Sequence, residues 1–180
     1  MLEKRRTGSV SELGDRSIRG KIPLFNNLLT DGQYWERFDR TAFDGVDLSD
    51  VVFNLEHDNK TAVAKVSAGN LDINFDNDGL VFEARVIKGT TGDEVIEKVR
   101  NGVANQASIR YWHAEEDTTQ TEFRGLPLVI YNRIRLLKDV CCTPQGSWSG
   151  QTITRTQGAR KNKIGSKEMI LLLLQINENT

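Results

Sequence analysis

Apolar residues recur at alternate positions in several short stretches of the chain, the period expected of strands with one buried face. Ile18, Gly20, Ile22 and Leu24 share one face of the segment 18–25. The same alternation places Ala62, Ala64 and Val66 together within 61–66, Leu71, Ile73 and Phe75 within 70–75, and Leu80, Phe82, Ala84 and Val86 within 80–87. Ser67-Ala68-Gly69 separates the second and third of these as a turn. Asp76-Asn77-Asp78-Gly79 joins the last two as a hairpin, since Asn, Asp and Gly tolerate the backbone angles a tight turn needs. Further short strands are predicted at 34–38, at 51–55 and at 107–112. One or two more fall over 126–137, with Leu128, Ile130, Ile134 and Leu136 as apolar positions, and the chain then continues through Asp139-Val140-Cys141-Cys142 to Pro144.

One stretch has the helical period instead. Val95, Ile96, Val99 and Val103 follow Thr91-Gly92-Asp93, which predicts a helix capped by Asp93 and ending near Gly102. Asp39 is suited to cap a brief helix running to Phe43. Residues 113–122 are acidic and polar and read as a loop or hairpin tip. Six to eight short strands with one clear helix make a mostly β (α+β) chain, a single small β-barrel with one or more packed helices, not a series of βαβ units.

Length and charge set the outer organisation. A chain of 180 residues fits one domain with tails. Residues 1–17 are polar, contain Gly and Ser, and read as a flexible N-terminal segment. The barrel is expected over 18–149, followed by a basic linker and tail over 150–180. Residues 1–22 and 150–180 each carry net +3, so the total of −1 leaves the part between them at −7. A total so near neutral gives no bulk argument for binding nucleic acid or a membrane, and neither partner is expected. The apolar run Met169 to Leu174 is too short to span a bilayer. The stretch from Met1 to Gly20 is charged and does not read as a signal peptide.

The two cysteines, Cys141 and Cys142, are adjacent, a spacing that suits neither a strain-free disulfide nor a zinc site. A reducing, intracellular setting without metal or cofactor is the expectation. Candidate chemistry centres on one of the chain's two histidines, His57, at the end of the strand Val51 to Leu55. Imidazole exchanges protons near neutral pH, and Ser108 on a later strand offers a hydroxyl. A histidine base with a serine is the minimum for nucleophilic catalysis, and it also occurs by chance in most chains.

The order of features along residues 18–145 resembles the prohead maturation proteases of tailed bacteriophages, serine endopeptidases distantly related to herpesvirus assemblin. Ile18-Arg19-Gly20-Lys21-Ile22-Pro23-Leu24-Phe25-Asn26 is similar to that family's opening strand. Glu36-Arg37-Phe38-Asp39-Arg40-Thr41-Ala42-Phe43 resembles its next segment, and Asn54-Leu55-Glu56-His57-Asp58 the segment bearing its histidine. Asp76-Asn77-Asp78-Gly79-Leu80 resembles its hairpin, Gly102-Val103-Ala104-Asn105-Gln106-Ala107-Ser108 the segment ending in its serine, and Leu137-Lys138-Asp139-Val140-Cys141 its last strand. Three positions depart from the pattern. Arg110 stands where a glycine is usual, Asp139 where a glutamate is usual, and Cys141 where a serine is usual.

The resemblance implies an assemblin-like barrel and a peptide hydrolase with Ser108 as nucleophile and His57 as general base. Asp139 is the expected third member, with His113 as its competitor. Independently of the resemblance, Arg110 is two residues from Ser108 and shares its face on a strand, which makes it a candidate to face the substrate oxyanion. It further implies that the enzyme cleaves the scaffold, or the scaffolding domain of the major capsid protein, and itself. The expected partners are the major capsid protein, the scaffold protein and further copies of the chain. The expected location is the host cytoplasm, inside the procapsid during assembly. The tail over 150–180 would be an anchor removed by self-cleavage. A non-catalytic β-barrel that binds capsid or scaffold is the alternative.

Overall fold

The structure, a computed structural model, describes residues 2–144 except 15, 26, 31 and 32, so the basic linker and tail at 150–180 lie outside the described residues. In chain order the strands are β1 (Leu2–Gly14), β2 (Ser17–Pro23), β3 (Leu29–Thr30), β4 (Trp35–Phe38), β5 (Val52–Leu55), β6 (Ala64–Lys65), β7 (Leu71–Phe75) and β8 (Gly79–Arg85). The helix α1 (Thr90–Arg100) comes next, and β9 (Gln106–His113), β10 (Thr118–Phe123), β11 (Leu126–Tyr131) and β12 (Leu136–Thr143) follow it. Eight of them form one sheet in the order β6-β5-β12-β9-β1-β2-β8-β7, and β10-β11-β4-β3 form a second sheet. The Ile87 N–H, just past β8, donates to the Val63 carbonyl just before β6 at 3.1 Å. This bond draws distant parts of the large sheet together into a nearly closed barrel.

The alternation in β2 and β8 does what the period predicts. Ile18, Ile22, Leu24, Leu80, Phe82 and Ala84 are all buried inside the barrel with Phe53, Leu71 and Ile109. Gly20 also points inward, and a Cβ there would lie 2.2 Å from the Phe82 ring, so the glycine makes room for the phenylalanine. The 76–79 turn forms as expected: Asp76 Oδ1 accepts from the Asp78 and Gly79 amides at 2.8 and 3.0 Å. Helix α1 buries Val95, Ile96 and Val99 and packs over β1.

Residues 2–14 differ from the flexible segment read from the sequence. They form β1, which lies within the large sheet with β9 on one side and β2 on the other. A polar strand is held there by two main-chain ladders, whose hydrogen bonds do not depend on side-chain polarity. Gly8 is required at this point, because a Cβ would sit 1.9 Å from the Lys21 carbonyl.

Other elements shift from the sequence reading. Strand β10 occupies part of the stretch read as a loop, after a 3₁₀ turn over Glu115–Asp117. Asp39 caps a turn, not a helix, and its Oδ1 accepts from the Thr41 N–H at 2.9 Å. Helix α1 stops at Arg100, and Gly102 has a left-handed φ of 72°, so Val103 is 53% exposed instead of continuing the apolar face. The second sheet docks on the barrel through aromatic rings. Phe38 and Tyr131, stacked on each other within that sheet at 4.9 Å between centroids, both meet Tyr111 of β9 edge-on, at 5.2 and 5.9 Å.

Candidate active site

Strand β9 separates two kinds of chemistry onto its two faces. Ala107, Ile109, Tyr111 and His113 are buried on the barrel side, which leaves Gln106, Ser108, Arg110 and Trp112 on the other face. Ser108 is nonetheless fully buried, at 0% exposure.

Strand β12 lies beside β9 and carries a bulge. Leu137 pairs with Tyr111 and Asp139 pairs with Arg110, so Lys138 is an extra residue without a partner on β9. The bulge reverses the alternation along β12. Leu137 faces the core before it, and Val140 and Cys142 face the core after it. Asp139 and Cys141 are thereby turned to the outer face, opposite Arg110 and Ser108 respectively. It also explains why Leu136, expected among the apolar positions, is 37% exposed while Leu137 is 1% exposed.

Strand β5 runs parallel to β12 on its other side, with Asn54 in register with Cys141. Phe53 and Leu55 enter the core, so Asn54 faces outward beside Asp139. The chain then turns sharply. Glu56 and His57 have φ of 55° and 61°, and the Asp58 N–H donates back to the Leu55 carbonyl at 3.0 Å. Two successive residues with positive φ meet the requirement of a type I′ turn. Neither is a glycine, so the turn carries backbone strain of a kind that gathers at functional sites. It directs the imidazole back over the sheet. The side chain of Asp58 then caps a 3₁₀ turn that begins at Asn59.

These elements bring His57, Ser108 and Asp139 together. His57 Nε2 is 2.9 Å from Ser108 Oγ, and His57 Nδ1 is 2.5 Å from Asp139 Oδ1. With the ring neutral, Nδ1–H donates to the carboxylate and Nε2 is left to accept from the Ser108 hydroxyl. Asp139 has no exposed surface. A buried carboxylate needs donors on both oxygens. Oδ2 accepts from Arg110 Nη2 in an ion pair and from Asn54 Nδ2 at 3.4 Å. The same Arg110 nitrogen donates to Asn59 Oδ1 at 3.2 Å. Beside this group a cavity of about 310 Å³ is lined by Asp50, Val52, Asn59, Ala62, Lys65 and Lys138.

The other candidates are placed elsewhere. His113 lies on the barrel face of β9, opposite to Ser108, with its ring against Tyr131 at 4.9 Å between centroids and its Nδ1 2.9 Å from the Ala114 carbonyl. Arg110 aims its guanidinium at Asp139 and Asn59, so it is engaged with the carboxylate and not set over the serine as expected. Cys142 is in the core, where burial pushes its thiol up to about 12. Neither cysteine forms a disulfide. Asn54 and Asn59 were not singled out from the sequence. Asn54 could have been suspected as a polar residue between two core positions on the strand that leads to His57. Asn59 carries no such signal. Among the described residues no cluster of three or more His, Cys, Asp or Glu side chains is placed to hold a metal ion. No helix among them is long and apolar enough to cross a membrane.

No curated protein matches this chain. Among solved structures it is similar to the bacteriophage T4 capsid assembly protease, at 14% identity and a TM-score of 0.45, over 78% of this chain and 96% of that one. The family model described as caudovirus prohead serine protease matches residues 3–163. The chain belongs to the caudovirus prohead serine protease family.

Proposed function

We propose that this phage prohead protease works as a serine endopeptidase with Ser108, His57 and Asp139 as its catalytic triad. The observation that carries the reading is the unbroken chain from Ser108 Oγ through His57 to Asp139, at 2.9 and 2.5 Å, on two strands and a turn from three separate parts of the sequence. Ser108 Oγ attacks the scissile carbonyl while His57 Nε2 takes its proton. The imidazolium then gives that proton to the leaving amine, and a water repeats the sequence to release the acyl group. Asp139 holds the ring with Nε2 toward the serine and favours the charged imidazolium as it forms. In a serine protease, replacing this carboxylate by its amide costs about 10⁴-fold in turnover. Because Ser108 has no exposed surface, substrate reaches Oγ only after neighbouring groups move aside.

The substrate in this reading is the scaffold protein or the scaffolding domain of the major capsid protein, cut inside the procapsid in the host cell, together with the protease itself. Family membership and the resemblance of residues 18–145 support it. The tail at 150–180 is the expected site of self-cleavage and anchoring, and an enzyme truncated at residue 150 that still matures capsids normally would sink that part. The whole reading is tested by co-expressing the cognate capsid and scaffold proteins with the wild type, Ser108→Ala or His57→Ala, and measuring the intact mass of every product. Trimming by the wild type alone supports it. Identical full-length masses in all three, with assembly proceeding, favour a non-catalytic assembly factor.

A further inference from the structure

Arg110 occupies a position where the resemblance expects a glycine, and its surroundings give that departure a use. It faces Asp139 across the β9–β12 ladder and its side chain is 14% exposed. Its Nη2 donates to Asp139 Oδ2 and to Asn59 Oδ1. Asn59 opens the 3₁₀ turn two residues after His57. One guanidinium nitrogen therefore ties the third member of the triad to the loop that carries the second. The Trp112 ring, two residues along the same face of β9, lies 6.0 Å from Arg110 Cζ and limits where the guanidinium can swing.

We propose that Arg110 is a positioning residue for the His57–Asp139 pair. The proposal rests on the serine protease reading of the site. A carboxylate bonded only at Oδ1 is free to rotate about its Cβ–Cγ bond and to present either oxygen, or neither, to the imidazole. Fixing Oδ2 from the opposite strand aims Oδ1 at Nδ1. The bond to Asn59 then fixes the distance between the carboxylate and the turn on which the imidazole rides. Asn54 Nδ2, at 3.4 Å from Oδ2, adds a longer and weaker contact. A glycine in place of Arg110 provides none of these bonds.

The test compares the wild type with Arg110→Lys, Arg110→Met, Asp139→Asn, the double variant Arg110→Met/Asp139→Asn, and Ser108→Ala. Each is assayed on a fluorogenic peptide spanning the cleavage site mapped in the capsid precursor. The His57 Nδ1–H resonance, expected far downfield, is followed by proton NMR. Arg110→Met should lower kcat by about 10- to 100-fold with KM within about twofold, the size of loss expected when a catalytic group is misplaced by a fraction of an ångström to an ångström. It should also move the downfield resonance. Arg110→Lys should recover part of kcat and the resonance, because it keeps a donor on Oδ2.

The double variant should be no slower than Asp139→Asn, since an arginine acting through Asp139 has nothing left to position. If Arg110→Met does not fold, because it leaves a buried carboxylate unpaired, the double variant removes that charge and keeps the comparison open. Wild-type kcat and resonance in Arg110→Met overturn the proposal, as does a loss fully additive to that of Asp139→Asn, or a rise in KM alone. Ser108→Ala cleaving at the wild-type rate overturns instead the serine protease reading beneath it.

Discussion

Asp139 faces Arg110 across the β9–β12 ladder because Lys138 is bulged out of it. A regular ladder would have put Lys138 opposite Arg110 and turned Asp139 toward the barrel interior. The bulge thus decides which side chain of β12 reaches His57. The same change of phase buries Leu137 at 1% exposure and leaves Leu136 at 37%. Leu137→Ala should cost about 2–5 kcal/mol, and Leu136→Ser about 0.5 kcal/mol or less. Urea denaturation of the two variants checks this, and the reverse order would place the bulge elsewhere.

The turn at Glu56 and His57 stores strain in a known place. A non-glycine residue in the left-handed region costs roughly 1–2 kcal/mol. Glu56→Gly relieves that cost at the exposed position while giving the unfolded chain more freedom. A net gain of up to about 1 kcal/mol in unfolding free energy is expected. A loss of comparable size would mean that φ of 55° at Glu56 is not the conformation the protein adopts.

Cys142 should be chemically silent in the folded protein. Burial raises its thiol from 9.0 to about 12, so almost no thiolate exists at pH 8 in the native state. Iodoacetamide at that pH should leave Cys142 unmodified until urea is added. The unfolded thiol ionises before the folded one, so this group's contribution to stability is present below pH 9 and is lost as pH rises toward 12. Cys142→Ala should remove that component of the alkaline loss, and a variant with the same alkaline profile as wild type would argue that the thiol is not buried.

Asp117 gives the opposite dependence. Hydrogen bonds from Arg135, opposed by burial and helped by the Ala114 N–H at 3.1 Å, hold its carboxyl below the usual carboxylate range. Arg135 Nη2 reaches Oδ1 at 2.9 Å, and Arg135 Nε bonds Oδ2. A depressed folded value stabilises above the unfolded value near 3.8 and is lost as pH falls through the folded one. Asp117→Asn should therefore be less stable than wild type at neutral pH. The gap in urea midpoint should narrow as pH falls below the unfolded value near 3.8 and close once the folded carboxyl is protonated. A gap that stays constant over that range would show that the Asp117–Arg135 pair does not stabilise the fold.

The sequence carried the elements whose side chains reveal their environment. The alternation through Ile18, Ile22 and Leu24, the turn at Asp76 to Gly79 and the helix around Val95 and Val99 all follow from side-chain period and turn chemistry, and all appear in the fold. What stayed hidden depends on the main chain. Strand β1 is polar and charged, and its place between β2 and β9 comes from ladders that any residue type can join. The bulge at Lys138 has no sequence mark, so Leu136 and Leu137 could not be told apart. At the site, the resemblance pointed to His57, Ser108 and Asp139, and the fold brings them into contact. Arg110 was placed on the right face by strand periodicity, but its engagement with Asp139 requires the register of β9 against β12.

In the proposed triad Ser108 is a nucleophile activated by His57. The most direct measurement is treatment of the wild type and His57→Ala with a fluorophosphonate probe, followed by peptide mapping by mass spectrometry. One adduct, on Ser108, is expected in the wild type and none in His57→Ala. A wild-type enzyme that cleaves capsid precursor while Ser108 remains unlabelled, or a His57→Ala variant labelled as fast as wild type, would contradict this role.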